Sequence, residues 1–65
     1  MTKYSKGELE EALEALNSTL GKCEKAILKL RENSAQHTLM TRRINAFRIA
    51  LALIERELQT KSEDG

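Results

Sequence analysis

The chain holds few side chains able to do chemistry, and their placement argues against catalysis. His37 is its only histidine and Cys23 its only cysteine. A histidine base needs a nucleophile to activate or a carboxylate to orient it. A reactive thiol needs exposure and an electropositive neighbour. Neither residue meets its condition, because both fall on the apolar seams described below, one heptad out of level with each other, roughly 10 Å along a helix axis. His37 therefore reads as a first-turn residue closing a seam, and Cys23 as a small buried hydrophobe. One Cys and one His also fall short of the four ligands of a structural zinc site. The acids Glu8, Glu10, Glu11 and Glu14 lack the Glu-x-x-His spacing of a di-metal helical bundle and suit a helix start instead. No glycine-rich phosphate loop, zinc motif or serine elbow occurs. The expectation is a non-enzymatic chain with no catalytic residue, metal, cofactor or small-molecule substrate.

The second chemical possibility is phosphate binding. Lys22, Lys25 and Lys29 make a basic stripe on one segment, and Arg42 and Arg43 lie early in the next. Such a cluster can contact an RNA or DNA backbone. No aromatic lies within it to stack bases, since the only two in the chain are Tyr4 and Phe47. The net charge of +1 provides no global field toward nucleic acid or membrane. A solvated helix face is the plainer reading of this stripe, and nucleic-acid binding by the basic end is the alternative.

These residues sit on two predicted helices. With 65 residues the chain has room for one small domain, and Ala, Leu, Glu, Lys and Arg dominate a sequence without proline. Met1 to Lys3 read as a frayed start. Ser5-Lys6-Gly7-Glu8 has the form of a capping box, with Tyr4 and Leu9 placed as a hydrophobic staple. From there Leu9, Leu13, Leu16, Leu20, Cys23, Ile27 and Leu30 follow in alternating steps of 4 and 3. Asn33 can take the left-handed conformation that ends a helix, and Ser34 can cap the next. The second seam is His37, Met40, Ile44, Phe47, Leu51, Ile54 and Leu58. Folding the chain at Asn33–Ser34 sets Leu30 against His37 and Leu9 against Leu58, and every such pair of positions sums to 67.

The fold class expected is therefore all-α: a two-helix antiparallel hairpin with a coiled-coil-like seam. A single domain over 1–65 comprises helix 1 at about 6–32, a turn at 33–34, helix 2 at about 35–60 and a disordered tail at 61–65. The weak stretch Asn17–Gly21 allows a bend, or a break into three short helices.

A domain this short buries only about 60% of its unfolded surface. Small folds are usually reinforced by disulfides, metal or self-association, and the residue counts leave the last. The surface for it is a flank beside the seam, formed by Ala12, Ala15, Thr19 and Ala26 with Leu39, Ala46, Ala50 and Leu53. The opposite flank is polar: Glu10, Asn17, Glu24, Arg31, Thr41, Arg48 and Glu55. One-sided apolar flanks suit two hairpins pairing into a four-helix bundle. Residues 22–48 hold seven basic side chains against two acidic, and the two ends together hold eight acidic against four basic. The turn end is thus positive and the open end negative, which favours antiparallel pairing. The expected partner is a second copy, as a homodimer, or another helical protein. No export signal core and no span of about 20 apolar residues is present, so no membrane is expected. With a lone cysteine, the expected compartment is the cytoplasm.

Overall fold

Two α-helices carry the fold. The computed structural model describes the backbone of residues 3–64 and the side chains of 3–60. Helix α1 spans Lys6–Ile27, helix α2 spans Ala35–Asp64, and the two pack against each other as a hairpin. The result is a rod of 47 × 20 × 17 Å. Its length is close to the ~45 Å of a 30-residue helix, so α2 runs the length of the molecule.

The helix starts follow from local chemistry. The Glu8 amide donates to Ser5 Oγ at 3.1 Å, and the Ser5 amide donates to Glu8 Oε1 at 3.0 Å, completing the capping box. At α2 the His37 amide donates to Ser34 Oγ at 3.1 Å. Asn33 has φ = 69°, in the left-handed region that Asn tolerates better than most residues.

The link between the helices is longer than two residues. Helix α1 ends at Ile27, not near 32, and residues 28–34 connect it to α2. Amides Lys29 and Leu30 donate to the carbonyls of Ala26 and Ile27, three residues back rather than four. In that tighter winding, side chains three apart eclipse. Ile27 and Leu30 therefore stay on the inner side, both half-buried, while Leu28 turns outward and is 84% exposed. A turn then closes from the Ser34 amide to the Arg31 carbonyl at 3.2 Å, with Asn33 at its third position.

At the other end α2 continues through residues 61–64, where a disordered tail was expected. Neither proline nor glycine occurs between Ala35 and Asp64 to stop it. Gly65 lies outside the described residues, as do Met1 and Thr2 of the expected frayed start.

All fourteen seam positions are buried or half-buried. Only Leu9, Ile44 and Leu51 are buried among the described residues, and no side chain is fully enclosed. Glu24 and Arg48 close an ion pair across the polar flank at 2.8 Å. Both are well exposed, so the pair contributes little more than alignment.

Helix α1 passes through Asn17–Gly21 without a break. A Cβ built on Gly21 would meet nothing within 4 Å. Gly21→Ala should therefore raise stability by about 0.5–1 kcal/mol, by restricting the unfolded chain and improving helix propensity. A thermal melt of the variant checks this, and a lowered midpoint would show that Gly21 has a packing role.

Candidate interaction surface

The seam accounts for one side of each helix, and the two helices differ in what remains. Along α1 the strongly apolar residues are confined to the seam. Along α2 a second apolar stripe lies roughly a third of a turn away: Leu39, Ala46 and Leu53 recur every seven residues, with Ile49 and Ala50 between them. Leu39, Ile49 and Leu53 are 47, 62 and 58% exposed. Helix α2 is therefore apolar on two sides, one of them the seam.

The eight flank residues of the sequence analysis divide by exposure. Ala15, Thr19, Leu39, Ala46 and Leu53 are exposed, whereas Ala12, Ala26 and Ala50 are half-buried. The Thr19 hydroxyl donates to the Ala15 carbonyl at 3.0 Å, so it is satisfied within its own helix. Ala12 and Leu53 line one groove at the open end, of about 540 Å³, with Tyr4, Leu9 and Ile54. Its rim carries Glu8, Glu11 and Glu57. Apolar walls under an acidic rim suit an apolar side chain flanked by cations.

Ile49 was not among the flank residues expected from sequence. It lies opposite the seam rather than just beside it, where the flank runs, and its exposure appears only once the seam is assigned. Tyr4 was placed as a staple, and it also forms part of the groove wall with Leu9.

The basic residues are all exposed: Lys22, Lys25, Lys29, Arg42 and Arg43. Arg43 borders a hollow with Leu30, Gln36, Leu39 and Met40, where no aromatic lies. Tyr4 is at the opposite end of the rod, and Phe47 is half-buried in the seam. His37 and Cys23 are half-buried at their seam positions. Among the described residues, no three potential metal-binding side chains converge, and no helix is long and apolar enough to cross a membrane.

Comparison of the chain with protein-family models, curated proteins and solved structures finds no match.

Glu8, on the rim, has a perturbed titration. The Ser5 backbone amide, and after it the Ser5 hydroxyl, hold the Glu8 carboxyl below its ordinary value of 4.5. A carboxyl more acidic in the folded chain favours folding above its unfolded pKa. That contribution fades as pH falls from about 4.5 through the lower folded value. Glu8→Gln keeps the capping geometry but removes the charge. Helix content followed by circular dichroism through acid titration should fall less steeply for this variant than for the wild type. Identical profiles would show that the box stabilises no charge.

Proposed function

We propose that this chain is a non-enzymatic helical interaction module that self-associates, two hairpins forming a four-helix bundle. The observation that carries the reading is the exposed Leu39–Ile49–Leu53 stripe on a hairpin with three buried side chains. Exposed apolar surface concentrated on one face marks interaction sites. The amount of surface supports it as well. The chain exposes 5461 Å² at a mass of 7.4 kDa, where a compact monomer would expose about 4,200 Å². The excess of roughly 1,250 Å² exceeds the ~800 Å² that one partner contributes to a standard interface. The radius of gyration, 14.7 Å, likewise exceeds the ~11 Å of a compact chain of this length.

A second copy or another helical protein is the partner class this face suits, and neither a membrane nor a small-molecule substrate is needed. The half-buried thiol of Cys23, unpaired within the chain, fits a reducing compartment such as the cytoplasm. Catalysis has little support, because a two-helix hairpin encloses no interior in which to build a site. The exposure of Lys22, Lys25, Lys29, Arg42 and Arg43 favours one second reading, a nucleic-acid-binding hairpin. That reading requires binding that weakens steeply with salt.

Sedimentation equilibrium at micromolar concentration tests self-association. The wild type should be dimeric. Leu53→Glu would bury a carboxylate and should weaken the dimer by about a hundredfold or more, whereas Asn17→Lys on the polar flank should not. A monomeric, fully folded wild type would overturn the proposal.

A further inference from the structure

The apolar face has a symmetry that specifies how a second copy would sit on it. Ala12 and Leu53 share the open-end groove. The helices run in opposite directions, so seven residues forward on α1 and seven back on α2 reach Thr19 and Ala46. Seven more reach Ala26 and Leu39. Along these two lines the face reads Ala–Thr–Ala on one helix and Leu–Ala–Leu on the other, the same from either end, with Ala15 and Ala50 off the lines. A two-fold contact requires a surface that is complementary to itself, and a stripe symmetric about its midpoint meets that requirement when a second copy is turned end for end.

Resting on the self-association reading above, we infer that the partner is a second copy of this chain, packed antiparallel about a two-fold axis that passes between Ala46 and the partner's Ala46. In this arrangement α2 lies over the partner's α2 and α1 over the partner's α1. Leu39 meets the partner's Leu53, and Leu53 meets the partner's Leu39. At the centre, Thr19 and Ala46 are small enough for the helices to approach to about 8 Å. The Thr19 hydroxyl is already bonded within its own helix, so its burial leaves no donor unsatisfied.

Charge selects this placement over its rival. Rotation about the rod axis would also pair the two faces, but it would set turn end beside turn end. Each turn half carries seven basic residues against two acidic, so that pairing repels. End-for-end pairing sets each turn half beside an open half holding eight acidic residues against four basic. It brings the groove rim, Glu8 and Glu11, within a turn of the partner's Lys29 and Lys25. The partner's Leu39 then enters the groove lined by Leu9, Ala12 and Leu53, an apolar side chain between cations in an apolar groove between acids.

Disulfide trapping distinguishes the arrangements. On a Cys23→Ala background, Leu39→Cys and Leu53→Cys are prepared as separate proteins, and sedimentation first establishes that each is dimeric. Each is then oxidised alone and after mixing, with products separated on non-reducing gels. The expected result is a covalent dimer as the main product of the mixture and less than a tenth of that yield from either protein alone. In this placement identical positions lie about 14 residues apart along the axis, roughly 21 Å, far beyond disulfide reach. Efficient trapping of either protein alone would overturn the antiparallel placement. So would dimers that trap in neither condition, and in both cases self-association itself would stand. Monomeric proteins, with the Cys23→Ala parent also monomeric, would overturn both.

Discussion

The packing of apolar side chains along a single line between two helices is the interaction on which everything else in this molecule depends. A seam one helix-face wide cannot enclose a side chain on all sides. Its central residues, Ile44 and Leu51, are buried, but none of the described side chains is wholly removed from solvent. Burial contributes in proportion to the apolar area taken from water, while ordering a residue costs backbone entropy whether or not its side chain is covered. A hairpin therefore gains less per ordered residue than a three-dimensional core. The lone cysteine cannot form a disulfide within the chain.

The division of labour between the helices follows from this constraint. Helix α1 places its leucines in the seam and leaves alanine, threonine, lysine and glutamate elsewhere. Helix α2 places a second set of large apolar residues outside the seam, at Leu39, Ile49 and Leu53, all substantially exposed. In our reading this second set is the main apolar contact of α2 within a larger bundle. The charge separation between the two ends then acts on orientation more than on affinity.

The parts legible in the sequence were those fixed by local chemistry or strict periodicity. Ser5 and Glu8 make the capping box, and Asn33 and Ser34 make the turn and second cap, because each depends on residues within four positions. The seam was legible because its fourteen positions keep an unbroken heptad phase. The end of α1 was not, since Leu30 continues that phase although the chain has already tightened to three-residue hydrogen bonding at Lys29 and Leu30. Periodicity cannot separate the two windings there, because residues three apart share a face in both. The continuation of α2 through 61–64 is not legible in a polar composition that reads as disorder, although no residue there breaks a helix. Ile49 falls outside the flank because it lies opposite the seam on α2 rather than just beside it, and its significance depends on which apolar residues the seam leaves uncovered.

In our reading the folded hairpin is stabilised by a second copy of itself. Folding coupled to association makes the unfolding temperature depend on concentration, because mass action favours the associated native state. The most direct measurement is the thermal unfolding midpoint over about three decades of protein concentration, at constant pH and salt. The account predicts a midpoint that climbs steadily with concentration. A sharp, reversible transition at one temperature across the whole range would contradict it, since the hairpin would then be stable as a single chain.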